Sequence, residues 1–247
     1  MNRNAQRVAL ARGYLLHQRP FRDTSLIVEV YTREHGRMSC FARAARGPRS
    51  RFSGLRPFQP LLLSWSGRGD APQLTGAECD GLPAALPSAQ LLSAFYLNEL
   101  LIKLTAQHDP HPELFDLYDA ALAALAALAD ADGAQAESVL RHFELRLLEL
   151  LGFGVDLQFD AGSGAPVRAD AYYHFRPGSG LLLATEPQNA IPGVVLQSLA
   201  RDEALTDPQQ LRAARSLMRA AIDHCLEGRE LATRTVARAM AKLERIA

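Results

Sequence analysis

Apolar and polar residues alternate at strand spacing over the first eighty positions and recur at helical spacing over most of the rest. Five β-type runs come first. Residues 7–19 carry Val8, Leu10, Tyr14, Leu15 and Leu16, and residues 24–32 read T-S-L-I-V-E-V-Y-T. Residues 37–46 follow a turn at Gly36, and runs at 58–65 and 73–79 complete the set. Five short strands with Gly and Pro turns between them predict a small barrel or sandwich, and five is the strand number of the OB-fold. The stretch L-P-A-A-L-P-S at 82–88 breaks this pattern.

Beyond the break the period is that of a helix. Leu91, Phe95, Asn98, Leu101 and Leu104 trace one amphipathic helix. Pro112 and Glu113 open a second, lined by Leu114, Leu117, Leu122, Leu125 and Leu128. A third covers residues 136–151 and ends at Gly152. Asp207 reads as the cap of a helix that begins at Pro208, runs to about residue 226 and stops at Gly228; a last helix covers about 230–246. Between 152 and 192 glycine and proline are dense, at 162–166 and 177–180. The runs at 172–175 and 181–184 flank the second cluster and predict a short hairpin.

Composition sharpens this only where it is uneven. Hydrophobic residues make up 48% and charged residues 22%, ordinary for a globular chain. The formal net charge is zero, yet residues 1–80 hold 13 Arg and no Lys against 6 Asp and Glu, a net of +7. Residues 81–247 hold 14 Lys and Arg against 21 Asp and Glu, a net of −7. A basic head points to a polyanion partner, and an acidic body argues against DNA wrapping the whole chain. Three scattered cysteines, Cys40, Cys79 and Cys225, form no C-x-x-C, so neither a disulfide framework nor a cysteine zinc site is expected. The first twelve residues lack the apolar core of a signal peptide. The longest apolar run, 120–129, has ten residues where a membrane span needs about 20. The expectation is a cytoplasmic, nucleoid-associated protein without a membrane partner.

Motifs for chemistry are missing. There is no phosphate-binding G-x-x-x-x-G-K-[ST], no H-E-x-x-H and no G-x-S-x-G. The glycine triplets at 162–164 and 178–180 are not followed by a helical pattern, so they read as turns. The Asp130–Asp132 pair reads as a solvated loop. No nucleophile, base and oxyanion site assembles. The informative stretch is 37–56, where Arg43, Arg46, Arg49, Arg51 and Arg56 fall among Phe41, Phe52 and Phe58 with no acid between them. Guanidinium groups follow a phosphate backbone, and an aromatic ring can stack on a base. Phe41 and Phe58 fit core packing. Phe52, between Arg51 and Ser53, is the stacking candidate, with core packing its alternative. Arg12, Arg19 and Arg22 are further candidates for DNA contact.

Taken in order, several segments resemble the RecO family of bacterial recombination mediators. They are Gly13–Leu16 with R-P-F-R-D-T-S-L at 19–26, residues 32–37, the 42–54 loop, P-F-Q-P-L at 57–61, G-R-G at 67–69, Y-L-N-E-L at 96–100, residues 141–147 leading to L-G-F-G at 151–154, and 161–166. The resemblance covers essentially the whole chain. It implies an α+β protein: an N-terminal OB-fold barrel (1–82), then a mainly helical domain (83–247) with an irregular hairpin module at about 152–192.

It also implies a function. Members bind single- and double-stranded DNA, anneal strands coated by single-strand binding protein, and with RecR help to load RecA, without covalent chemistry. Many members carry a Cys₄ zinc finger in the loop module. Here the two expected positions read D-A-G-S (160–163) and F-R-P-G (175–178), so no metal or other cofactor is expected and packing alone must hold the module.

Arg141 matches the family's anchor for the acidic tail of single-strand binding protein, with an ordinary helix salt bridge as the alternative. The helices at 112–128 and 136–151 are expected to lie antiparallel. Their groove would be lined by Leu114, Phe115, Tyr118, Leu140 and Phe143.

Overall fold

The computed structural model describes residues 6–46, 50–52, 54–67, 69, 71–82, 85–129 and 132–244. The chain forms two compact units, residues 1–85 with 94–122, and residues 86–93 with 123–247.

The first unit is built on five strands: β1 (Gln6–Phe21), β2 (Ser25–Thr32), β3 (Gly36–Ala42), β4 (Leu61–Gly67) and β5 (Gln73–Cys79). Their order in the sheet is β1-β2-β3-β5-β4. β1 is long enough, at 16 residues, to pair antiparallel with β4 along its first half and with β2 along its second. Irregularities at Val8–Ala11 and Leu15–His17 bend it so that the sheet curls round. The seam is a single parallel pair, Phe41 opposite Gln73. Strict alternation then decides the interior. Val28, Val30, Met38, Cys40, Leu61, Leu63, Trp65 and Leu74 point inward and are buried, which gives the expected OB-type strand set its core.

Element ends differ from the sequence reading for local reasons. β1 runs on to Phe21. β3 stops at Ala42 rather than 46, because the chain turns there with Ala44 in the left-handed region (φ 54°), and the Arg46 amide donates to the Thr24 carbonyl at 3.0 Å. β4 starts at Leu61 rather than 58, since Phe58 is left-handed (φ 64°) and Pro60 has no N–H to give a ladder.

Helices α1 (Leu91–Leu104) and α2 (Pro112–Ala126) contribute residues 94–122 to this same unit. Tyr14 and Tyr31 of the barrel meet Phe115 and Tyr118 of α2, with ring centroids 5.1–6.5 Å apart. Polar groups inside this contact are satisfied. The Tyr118 hydroxyl donates to Asn98 Oδ1 at 2.6 Å, and Asn98 Nδ2 donates to the Leu16 carbonyl at 2.9 Å. Tyr14 donates to the Asp119 carboxylate, and Arg33 grips Asp116 with two bonds of 2.9 Å. Burial pushes the Tyr14 and Tyr31 hydroxyls well above the usual tyrosine range, so both stay neutral donors. Gly36 (φ 67°) is required here, because a Cβ would sit 2.2 Å from the Asp109 carbonyl oxygen.

The second unit holds α3 (Gly133–Leu150), a three-stranded sheet of order β7-β6-β8, and helices α4 (Gly193–Ala200), α5 (Pro208–Leu226) and α6 (Ala232–Glu244). The strands are β6 (Tyr172–Arg176), β7 (Gly180–Leu183) and β8 (Ile191–Pro192). Asp207 caps α5, accepting from the Gln209 and Gln210 amides at 2.9 Å, and Gly152 (φ 81°) follows the end of α3. β6 and β7 form the expected hairpin. β8 and α4 were not foreseen. Pro192 is extended (φ −62°, ψ 136°) and stands at the N-cap position of α4 without a side-chain capping bond.

Packing alone does not hold the loop module, contrary to expectation. The Asp160 carboxylate is buried and accepts four hydrogen bonds, from the amides of Gly162 (3.2 Å), Ser163 (3.2 Å) and Leu183 (3.1 Å) and from Ser163 Oγ (2.5 Å). One side chain thus ties the 160–164 turn to the end of β7. The Ser163 hydroxyl, with the backbone donors, holds its pKa below the usual carboxylate range.

Candidate nucleic-acid interface

The outer face of the sheet changes character along the strands. Near α1, Arg37 binds the Glu29 carboxylate at 3.1 Å and the Thr105 carbonyl at 2.8 Å, so the charges cancel. Toward the β1–β2 turn they do not. Arg19 stands opposite Ile27, Ile27 opposite Phe41, and Phe41 opposite Gln73, a row across three strands and the seam. Phe21 and Phe41, both half-buried, place their rings 5.4 Å apart at 54°. The Arg22 guanidinium lies 5.3 Å from the centre of the Phe21 ring.

Two turns close this tip. The β1–β2 turn carries Arg22 in the left-handed region (φ 53°), and the turn after β3 carries Arg43, Ala44 and Arg46. They are joined by the Arg46 backbone N–H donating a hydrogen bond to the Thr24 carbonyl and by Arg46 Nη1 donating to the Asp23 carbonyl at 3.4 Å. Arg19, Arg22, Arg43 and Arg46 are all exposed, and among the described residues none has an ion-pair partner. The β4–β5 loop adjoins them, because the Phe41 amide donates to the Pro72 carbonyl at 2.9 Å. An OB-fold presents single strands with this surface: the outer face of β2 and β3 between the β1–β2 and β4–β5 loops.

The remaining candidates fall elsewhere. Arg12 is ion-paired with Asp80 at 3.1 Å and lies seven residues, roughly 23 Å of strand, from Arg19. Arg51 and Arg56 are exposed on the β3–β4 connection, with Arg51 stacked on Phe52 at 5.0 Å. Arg49 lies outside the described residues. Phe52 is a correction: only 3% exposed, it belongs to the barrel core with Leu55 and offers no face to a base. Phe41, assigned to the core from sequence, is the half-exposed ring instead, and Phe21 went unnoticed. The one signal for it was a ring between Pro20 and Arg22 just before a turn.

The residues expected to form one partner groove are divided between the two units. Leu114, Phe115 and Tyr118 are buried in the first unit, because the apolar face of α2 is taken up by Tyr14 and Tyr31. Leu140, Arg141 and Phe143 belong to the second unit, where Phe143 is fully buried. Arg141 is 6% exposed and donates to Glu144 Oε1 at 2.6 Å, while its Nε is buried without a hydrogen-bond partner.

Among the described residues no three His, Cys, Asp or Glu side chains group so as to hold a metal ion. Burial pushes the Cys40 thiol up to about 12, which removes it as a nucleophile. Among the described residues no helix is long and apolar enough to cross a membrane.

Comparison with known proteins agrees with this geometry. The family model for the N terminus of recombination protein O matches residues 7–81, and that for its C terminus matches residues 89–234. A DNA repair protein RecO of Methylococcus capsulatus is 43% identical over 233 residues, covering 94% of each chain. Those of Alkalilimnicola ehrlichii (42%, covering 99% of this chain and 96% of the relative) and Azoarcus sp. (41%, covering 96% and 98%) are similar along nearly their full lengths. An OB-type strand set with a basic, aromatic tip, a helical second unit and these end-to-end matches agree: the chain belongs to the RecO family of DNA repair and recombination proteins.

Proposed function

We propose that this chain is a non-catalytic recombination mediator. It binds single- and double-stranded DNA at the barrel tip, anneals complementary strands coated by single-strand binding protein, and with RecR helps to load RecA, acting in the cytoplasm on the nucleoid. The observation that carries the reading is the tip, which carries a half-buried phenylalanine pair and four exposed arginines that among the described residues have no ion-pair partner. Annealing brings two polyanions together. Arginines at phosphates lower the repulsion and release counterions, and contact limited to the backbone leaves base edges free to pair. A ring at Phe21 or Phe41 can hold one base in place without reading its sequence.

Coated strands require a second contact, with the acidic tail of single-strand binding protein. Arg141 is its proposed anchor, since its buried Nε retains a donor that a carboxylate could take. The test leaves this chain unaltered. On strands coated with full-length single-strand binding protein, annealing should be fast. On strands coated with protein lacking the tail it should fall to the uncatalysed rate, while annealing of bare strands is unchanged. Equal rates on both coated substrates would reduce the chain to a general OB-fold nucleic-acid binder.

A further inference from the structure

The net negative charge of the second half hides a reversal near the end of the chain. Residues 81–207 hold 6 Lys and Arg against 17 Asp and Glu, a net of −11. Residues 208–247 hold 8 Lys and Arg against 4 Asp and Glu, a net of +4. These last residues are α5, α6 and their connection. On α5, Arg212, Ser216, Arg219 and Asp223 recur every three or four positions, all exposed, so they form one stripe. Asp223 is ion-paired with Arg234 at the start of α6. Arg238 and Lys242 follow Arg234 at intervals of four and continue the stripe along α6.

The stripe has the character of a backbone-binding surface. Among the described residues Arg212, Arg219, Arg238 and Lys242 have no ion-pair partner, whereas neighbouring Arg215 is tied to Glu137 and Arg234 to Asp223. Where α5 meets α6, a cleft of about 210 Å³ is lined by Arg229, Arg234 and Arg238 against Asp223 and Glu230, so it too carries a cationic excess. Arg212 to Arg219 spans about 10 Å of helix and Arg234 to Lys242 about 12 Å, each room for about three phosphates at the axial spacing of duplex DNA.

The arrangement also separates a nucleic acid from an acidic protein partner. The exposed apolar residues of α6, Val236, Met240 and Leu243, lie about half a turn away from Arg234, Arg238 and Lys242. An acidic amphipathic peptide needs cations and apolar contact on one side. A phosphate backbone needs only the row of cations.

We infer that α5 and α6 form a second DNA-backbone surface, so that the chain holds one strand at the barrel tip and another on its C-terminal helices. This rests on the proposed DNA binding at the tip and extends it, since annealing needs two strands on one protein. The test is the stoichiometry with an oligothymidylate of about 12 nucleotides, within the ~4–16 nucleotides one OB-fold covers. The unaltered chain should bind two per chain. The variant Arg212→Gln/Arg219→Gln/Arg238→Gln/Lys242→Gln should bind one, with the affinity of that remaining site unchanged. The same four positions as Lys (Lys242 unaltered) should restore two, which separates lost charge from lost folding.

A variant with Arg19, Arg22, Arg43 and Arg46 all changed to Gln should also retain one site. If that variant still bound two, the tip reading would fail, independently of the helices. A stoichiometry of one in the unaltered chain, or of two in the glutamine variant of α5 and α6, overturns the inference. So does a glutamine variant that keeps both oligonucleotides and loses only binding of a polyglutamate probe, which would mark an acidic protein as the occupant.

Discussion

The barrel tip and the middle of the second unit treat charge in opposite ways. At the barrel tip, Arg19, Arg22, Arg43 and Arg46 are exposed, and among the described residues none has an ion-pair partner. In the middle of the second unit the charges turn inward: Arg141 and Glu144 are paired at 7% and 1% side-chain exposure, and Asp160 is enclosed by four donors. An exposed cation without a partner contributes little to its own fold and is available to a ligand. A buried pair is enclosed by the structure, and a ligand reaches even the remaining Arg141 Nε donor only by displacing what covers it. Exposure and partners, more than the identity of the residue, therefore separate the arginines proposed to contact DNA from those that hold the protein together.

The comparison breaks first, and by the largest margin, at the buried pair. Arg141→Met removes the cation hydrogen-bonded to an enclosed carboxylate and should cost about 3–5 kcal/mol. Arg141→Met/Glu144→Leu removes both charges and should recover most of that loss. Urea unfolding midpoints of the three proteins check this, and a double variant no more stable than the single one would show that the pair is not the cause. Bare-DNA affinity should be the same in all three, since neither Arg141 nor Glu144 belongs to the proposed DNA-binding tip.

A smaller, local effect is expected at Asp160. Its folded pKa lies below the unfolded value, so its contribution is complete above about pH 4, the unfolded carboxylate range, and is lost as pH falls through the folded pKa. Asp160→Asn should produce the same loosening at neutral pH. Hydrogen exchange at the Gly162, Ser163 and Leu183 amides should speed up on acidification or in the variant. A chelator should leave these amides unaffected, because the donors here are hydrogen bonds to a carboxylate. Faster exchange on chelation would show that a metal holds the module.

Sequence carried the elements whose causes are local. The β-runs, the Asp207 cap and the stop at Gly152 depend on neighbours within a few residues; the cap and the stop are where the pattern places them, and the five strands follow in the expected order with shifted ends. The residues of the proposed DNA-binding tip are legible in the sequence as composition but not as geometry. Phe52 and Phe41 sit in the same arginine-rich stretch. Which ring faces out is set by strand parity in β3, and by the path of the connection that carries Phe52 into the core. Arg141 lies on a helix whose apolar neighbours suggested a groove edge, but Glu144 one turn on is buried with it, and burial cannot be read from an i,i+3 spacing alone. Asp160 is not legible as a tie in the sequence, because the lack of cysteine pairs points to packing alone, whereas a buried carboxylate accepting four hydrogen bonds ties the module together.

The most direct test of the arginine tip is the salt dependence of single-strand binding. Each phosphate contact contributes about 0.7 to the slope of log affinity against log salt. Arg19→Gln/Arg22→Gln/Arg43→Gln/Arg46→Gln should flatten that slope by about 3 and weaken binding to all sequences alike, while Arg12→Gln/Arg51→Gln/Arg56→Gln should leave it nearly unchanged. An unaltered slope in the first variant together with a flattened one in the second would contradict the account and move the interface to the other side of the barrel arginines.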